Sequence, residues 1–107
     1  MNAAPVFAAL ADPTRRKLLT QLAERSPRTA TQLAAHYAIS RQGLLKHLNV
    51  LAEAGLVSVR RHGREQRYTL TPEPLAEVNR YTQALIHKWD ERLLRLKTML
   101  ESETSED

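Results

Sequence analysis

The stretch SRQGLLKHLNVLAEAGLV, residues 40–57, decides how this chain folds. Ser40 is a good N-cap and Gly55 is a good left-handed stop, and leucines recur between them at helical spacing. We therefore predict one amphipathic helix over about residues 41–54. The stripe that this helix is expected to bury consists of Leu44, Leu48 and Leu51.

The polar residues of this helix crowd toward its N-terminal half, the half with which a recognition helix meets the edges of DNA bases. Before it, Thr29 and Gln32 have the form of a capping box and open a short helix to about Tyr37. Two helices joined by a tight turn, the second with exposed cations and amides, predict a helix-turn-helix over residues 29–55. The predicted DNA contacts of the second helix are Arg41, Gln42, Lys46 and Asn49 in or beside the major groove, Leu45 against a thymine methyl, Ser40 near a phosphate, and His47 as a structural residue or a further contact.

Two segments rich in β-forming residues follow, at residues 56–59 and 66–70. The charged turn between them, residues 60–65, is centred on Gly63. A hairpin with a cationic tip directly after a recognition helix is a wing, here over residues 56–70, and a plain solvated hairpin is the alternative. The predicted phosphate or minor-groove contacts of the wing are Arg60, Arg61, Arg64 and Arg67.

The chain before the helix-turn-helix also predicts helices. Asp12 marks a helix start because it can cap and because the proline after it gives up only an N–H that would be unbonded anyway. This helix is expected to reach about Arg25. Residues 1–11 are predicted to form one or two helical turns. Because so short a helix is not stable alone, it must pack against another element. Three cations in the first turns oppose the helix dipole and are candidates for phosphate contacts, with a solvated face as the alternative: Arg15, Arg16 and Lys17. Arg15 and Arg16 are the two assigned to the DNA-binding site.

The last predicted helix, about residues 75–100, is about 39 Å long at 1.5 Å per residue, longer than so small a domain can cover. Its apolar stripe needs another surface, and a second copy of the chain would supply one through a two-fold interface. The alternative to a dimer is that this helix packs only on its own domain. Residues 101–107, after the helix, are expected to be a frayed acidic tail. The residues assigned to the dimer interface are Phe7, Leu10, Val78, Leu85, Trp89, Leu93 and Leu96.

The charge of the chain is divided unevenly. Residues 13–67 hold 11 Lys and Arg against 3 Asp and Glu, a net of +8, whereas residues 71–107 hold 5 against 8, a net of −3. This asymmetry favours a polyanion as partner of the first part only. No apolar run approaches the roughly 20 residues of a membrane span and the N-terminus lacks the pattern of a secretory signal, so we expect a cytoplasmic protein with no membrane partner.

The sequence indicates neither a cofactor nor catalysis. There is no cysteine, which excludes disulfides and thiolate metal sites. The four histidines form no His-x-x-x-His pair, and the one candidate metal cluster is His87 with Asp90 or Glu91, with a solvated polar face as its alternative. No Gly-rich phosphate loop and no Ser/His/Asp set with a placed base is found, so we expect no enzyme.

Three blocks of the chain resemble the ArsR/SmtB family of bacterial winged-helix repressors. They are LADPTRRKLL at residues 10–19, KHLNVLAEAGLV at 46–57 and GREQRYTL at 63–70, in the order of the family and spread over nearly the whole chain. The resemblance implies the same two-fold dimer. Leu45 stands where such proteins usually carry a small polar residue, so a hydroxyl contact to DNA is not carried over. The ligand patterns of metal-sensing relatives, including the cysteine pair before the turn, are missing at residues 30–36 and in the last helix.

We therefore predict a mainly α fold with a small β-hairpin, a single winged helix-turn-helix domain over residues 1–107 that dimerises through its N-terminal and long C-terminal helices. The predicted function is a homodimeric, sequence-specific DNA-binding repressor of its own or a neighbouring operon, which binds a palindromic operator whose half-sites lie about 34 Å apart. The alternatives are a winged-helix adaptor that binds only protein, an effector-free architectural or autoregulatory DNA-binding protein, and a metal-responsive repressor using His87, Asp90 and Glu91. Release by an unidentified effector is compatible with the sequence.

Overall fold

The fold consists of helices around a small antiparallel sheet, in a computed structural model that describes residues 3–104. Short helices lead into the helix-turn-helix, a hairpin follows it, and one long helix ends the described chain. The elements in chain order are α1 Ala4–Leu10, α2 Pro13–Glu24, β1 Arg28–Thr29, α3 Ala30–Ala34, α4 Arg41–Glu53, β2 Val57–His62, β3 Glu65–Leu70 and α5 Glu73–Thr104.

Side-chain caps start the central helices where the sequence predicted them. The Thr29 hydroxyl accepts the Gln32 backbone N–H at 3.1 Å, while the Gln32 side chain accepts the Thr29 N–H at 2.9 Å, which completes the predicted capping box. Ser40 Oγ accepts the Gly43 N–H at 3.0 Å and caps α4. Helix α3 ends at Ala34, earlier than the predicted Tyr37, because the chain tightens there into turns of three residues in which the Tyr37 N–H bonds to the Ala34 carbonyl.

Leucines from the helices form the core of the domain. The predicted stripe of α4 is confirmed, since Leu44, Leu48 and Leu51 are all completely buried. Burial of each such side chain contributes about 1.5–3 kcal/mol before the entropy of ordering the chain is counted. The remaining core residues include Leu18, Leu19 and Leu22 of α2, Leu33 of α3, and Leu56 and Tyr68 on the side of the sheet.

The sheet has three strands in the order β1-β3-β2, one more than the predicted hairpin. Strand β1 has only two residues, Arg28 and Thr29, which pair with Tyr68 and Arg67 of β3. Two residues cannot display the alternation that marks a strand in a sequence, and they are extended here because β3 offers them hydrogen-bond partners. The added strand connects the start of the helix-turn-helix to the wing.

The wing is a tight hairpin with a two-residue turn. His62 pairs with Glu65 across it, and Gly63 takes the left-handed conformation at φ +65°. A glycine with positive φ at the first central position of a two-residue turn is the requirement of a type II′ hairpin. The turn therefore places Arg64 at the tip of the wing, as the sequence predicted.

Helix α5 is longer than predicted at both ends. It begins at Glu73, and residues 101–104, which the sequence assigned to the acidic tail, continue it to Thr104. Residues 105–107 of that predicted tail lie outside the described part of the chain. At 1.5 Å per residue the helix is about 48 Å long, which explains why the molecule measures 78 × 28 × 22 Å.

Only the first turns of α5 pack on the domain. Leu75 and Val78 lie against the core, as does Leu10 of α1, so two residues predicted for the dimer interface are partly buried within one chain. Phe7 meets Tyr81 edge to face, with ring centroids 5.8 Å apart. Every α5 side chain described beyond Thr82 is exposed. No helix in the described part of the chain is both long and apolar enough to cross a membrane.

Candidate nucleic-acid interface

Helix α4 presents one polar row to solvent. Gln42, Lys46 and Asn49 lie within about 60° of one another around the helix, at 3.6 residues per turn, and all are exposed. They point away from the buried leucine stripe because they fall on the opposite side of the helix. We call these three residues the recognition row. An amide, an ammonium and a second amide in this arrangement can bond to base edges and phosphates of a major groove.

A cleft of about 520 Å³ separates α4 from the wing. Leu45 lines it and is partly buried against the core, so this side chain lies at the edge of the recognition row rather than within it. Glu65 is the one carboxylate among the residues that form the cleft. We call this space the wing cleft, and the cations that line it are Arg41 at the start of α4 and Arg61 and Arg64 of the wing.

The four wing arginines do not form a single row. Arg61 pairs with Gln66 on the side of the hairpin that faces the wing cleft. Arg60 lies directly opposite Arg67 on the other side, where both line a depression of about 600 Å³. Like charges opposite each other destabilise a hairpin, and Glu65 Oε2, 3.8 Å from Arg67 Nε, offsets part of this repulsion. Both sides of the hairpin therefore present positive charge.

The two cations at the start of α2 turn back toward α1. Arg15 donates from Nε to the Ala9 carbonyl at 2.8 Å and from Nη2 to the Ala8 carbonyl at 3.0 Å. Arg16 donates from Nη1 to the Leu10 carbonyl at 2.7 Å. These carbonyls belong to the last turn of α1, where Ala8 also accepts the backbone N–H of Ala11 at 3.3 Å. Arg15 and Arg16 thus have a structural role at the end of α1, which sequence spacing could not reveal because it depends on how α1 folds back. The phosphate contacts of these two residues stay a prediction.

His47 is half-buried on the flank of α4 that faces away from the wing. Its Nδ1 atom lies 3.4 Å from Arg15 Nη1 and 3.8 Å from Asp12 Oδ2. Asp12 also accepts the Arg15 backbone N–H at 3.0 Å. That hydrogen bond lowers the pKa of the Asp12 carboxyl, burial opposes the shift, and the charges of His47 and Arg15 add to it. The sequence identified Asp12 only as a helix cap, and its contact with α4 was missed because the two residues are far apart in the chain.

The candidate metal cluster of α5 forms a simple pair. His87 Nε2 lies 3.0 Å from Glu91 Oε1, with both side chains largely exposed. Within residues 3–103, no group of three or more His, Asp and Glu side chains is placed to hold a metal ion.

Comparison with known proteins agrees with a helix-turn-helix fold. Residues 10–60 match a family described as a helix-turn-helix domain. The transcriptional repressor SdpR of Bacillus subtilis (strain 168) is 36% identical to this chain, over 82% of the chain and 97% of the relative.

Solved structures extend the likeness to the whole domain. An ArsR-like transcriptional regulator from Rhodococcus sp. RHA1 is 39% identical, with a TM-score of 0.78 and 91% of each chain covered. A homodimeric winged helix-turn-helix DNA-binding domain from Mycobacterium bovis, described as a possible ArsR-family regulator, is 28% identical with a TM-score of 0.62, over 79% of this chain and 78% of that one.

Proposed function

The chain belongs to the ArsR/SmtB family of winged helix-turn-helix transcriptional regulators, and from this premise we propose that it is a homodimeric repressor that binds a palindromic operator in the cytoplasm. As a member it is a DNA-binding regulator and not an enzyme.

The observation that carries the DNA contact is the recognition row beside the wing cleft. Gln42, Lys46 and Asn49 are exposed on one face of α4, and the guanidinium groups of the cleft lie next to that face. A major groove would receive α4 while the wing follows the adjacent backbone or minor groove. In this arrangement Arg61 and Arg64 contact the DNA from the side of the cleft, and Arg60 and Arg67 contact it from the outer side of the wing.

The apolar face of α5 supports the homodimer. Leu85, Trp89, Leu93 and Leu96 follow one another along one face of the helix, and each is about half exposed. A contiguous apolar surface of this kind marks an interaction site, and the homodimeric Mycobacterium bovis domain has a similar fold. A two-fold dimer places its recognition helices in successive major grooves, which requires half-sites about 34 Å apart.

Repression would follow from the presence of the bound dimer on its operator. A dimer with two recognition helices covers two turns of duplex, and a similar chain from Bacillus subtilis is a transcriptional repressor. Binding over a promoter would exclude the polymerase without any further activity of the protein. We therefore propose repression rather than activation.

The function is tested by titrating the protein against the duplex that it selects from a random pool, with a scrambled duplex as reference, at two salt concentrations. We expect selective binding with a steep salt dependence. Arg64→Ala should weaken binding to both duplexes and reduce the slope of log affinity against log salt by about 1, because one phosphate contact is lost. Arg95→Ala, the same change on an exposed position of α5, should bind as the wild type does.

Two results would contradict the proposal. Equal and weak binding to selected and scrambled duplexes would leave only a basic surface, which favours the protein-binding adaptor. An unchanged salt slope in Arg64→Ala would mean that the proposed contact between the wing and DNA is wrong.

A further inference from the structure

Helix α1 lies between the surface that would join two copies and the helix that would read DNA. It packs against α2, α4 and α5. Its Phe7 ring contacts Tyr81 of α5, while its C-terminal carbonyls at Ala8 and Ala9 receive the guanidinium of Arg15. A displacement of α1 is therefore transmitted to both surfaces.

One cluster of side chains connects α1 to the flank of α4. Arg15 reaches the Ala9 carbonyl at 2.8 Å with Nε and approaches His47 Nδ1 at 3.4 Å with Nη1. Asp12 Oδ2 lies 3.8 Å from the same His47 atom. We call Asp12, Arg15 and His47 the junction. It is a polar connection between the end of α1, the start of α2 and the middle of α4.

The chemistry of the junction gives His47 Nδ1 a partner in either form of the ring. Guanidinium only donates hydrogen bonds and carboxylate only accepts them. When Nδ1 carries no proton it can accept from Arg15 at 3.4 Å. When it carries one, the Asp12 carboxylate attracts it electrostatically from 3.8 Å, beyond hydrogen-bond distance. The imidazole is thus held on the α1 side of α4 whichever nitrogen is protonated.

The junction orients α4 but is not what keeps it helical. The helix has its own cap at Ser40, and Leu44, Leu48 and Leu51 remain buried without any contribution from His47. The leucines can tolerate a small rotation or slide of the helix, whereas the directional hydrogen bond with Arg15 and the nearby Asp12 carboxylate at one flank resist it. Loss of the junction should therefore change where α4 points more than whether it folds.

We propose that Asp12, Arg15 and His47 are positioning residues that fix α4 relative to α1 and so determine which half-site spacing a dimer accepts. The inference rests on the proposed homodimer and its palindromic operator. Two recognition helices must reach two grooves at once, so a loosely held helix loses the advantage of preorganisation on a correctly spaced palindrome. A single half-site makes no such demand, because one protomer can adjust to it as a whole.

The test uses three duplexes built from the palindrome that the wild-type protein selects from a random pool. They are the selected palindrome, the same half-sites moved apart by two base pairs, and a single half-site. His47→Leu removes both polar contacts at similar volume. We expect it to lose about tenfold in affinity for the palindrome, the order of one hydrogen bond to a charged group, while its affinity for the single half-site stays within about twofold.

His47→Asn is the rescue variant, because its short amide can present an acceptor or a donor near the position of Nδ1. We expect it to regain most of the preference for the selected spacing over the altered one. Lys46→Ala is the matched control on the neighbouring position of α4. As a proposed DNA contact it should lose the same factor on all three duplexes and keep its spacing preference.

The outcomes separate the two proposals. A wild-type protein that selects no palindrome, or binds a single half-site as tightly as two, overturns the proposed dimeric function and the inference with it. A wild-type protein with a clear spacing preference that His47→Leu retains overturns the inference alone, as does an equal loss on the single half-site. If His47→Leu does not fold, Asp12→Asn replaces it, since it keeps the capping oxygen and removes only the charge that faces His47, and it must reduce the spacing preference for the inference to stand.

Discussion

Asp12 has two roles at the scale of the single residue. Its Oδ2 atom accepts the backbone N–H of Arg15 and so caps α2, and the same oxygen faces His47 of the recognition helix. The hydrogen bond from Arg15 is the main reason why the pKa of this carboxyl lies below its ordinary value of 3.8, with burial acting in the opposite direction. The ionised carboxylate is thus favoured in the folded chain over the unfolded one.

The depressed pKa of Asp12 predicts how stability depends on pH. A group whose pKa is lower when folded contributes stability that is complete above its unfolded pKa of 3.8 and is lost as the pH falls through the folded pKa. We expect the free energy of unfolding to fall less steeply below that pH in Asp12→Asn than in the wild type. Urea unfolding between pH 6 and pH 3 measures this, with Asp90→Asn on the exposed face of α5 as control. Identical pH profiles for Asp12→Asn and the wild type would show that the charge of the Asp12 carboxylate does not contribute to the stability of the fold.

At the scale of the element, the wing depends on the conformation of one glycine. Gly63 has φ +65°, and a Cβ added there would meet nothing within 4 Å, so space does not limit a substitution. The backbone does, because a left-handed conformation costs an L-residue about 1–2 kcal/mol. We expect Gly63→Ala to lower the free energy of unfolding by about 1 kcal/mol.

The neighbouring turn residue provides the control for Gly63. Arg64 has a negative φ, so Arg64→Ala should change stability by less than about 0.5 kcal/mol while it weakens DNA binding. Urea unfolding of both variants separates strain in the turn from loss of a charge. Equal stability of the two would mean that the hairpin relaxes into another turn.

Elements that are specified by neighbouring residues could be predicted from the sequence. Elements that depend on tertiary contacts could not. Asp12, Thr29 and Ser40 start their helices because a cap is a matter of three or four neighbouring residues. Strand β1 exists only because β3 pairs with it. The return of Arg15 to α1 likewise depends on a chain reversal that no spacing encodes. The sequence therefore predicted Arg15 and His47 as separate site residues, and their contact through Asp12 was missed.

The whole molecule separates its charge and its apolar surface. The helix-turn-helix and wing carry the excess of Lys and Arg, whereas α5 extends from the domain and exposes its apolar face. The division of charge could be predicted because it follows from the number of charged residues in long segments of the sequence. The exposed apolar face could be predicted because a core of this size cannot cover a helix about 48 Å long. Helix α1 contacts both regions. If α5 joins two copies and α4 contacts DNA, as we propose, the short helix α1 connects the two surfaces.

The apolar face of α5 predicts that one charge can separate the protomers without unfolding them. Trp89 is 56% exposed in the single chain, so Trp89→Glu should leave the free energy of unfolding of the domain nearly unchanged at low protein concentration. In a dimer the same carboxylate would be buried without a partner, at a cost of several kcal/mol. We expect sedimentation to find a monomer at micromolar concentration.

Leu94 is 65% exposed but lies about 140° around the helix from Trp89, so Leu94→Glu should remain dimeric. If both variants stay dimeric, the two copies associate through another surface, and if both become monomeric, the interface wraps more of α5 than the stripe.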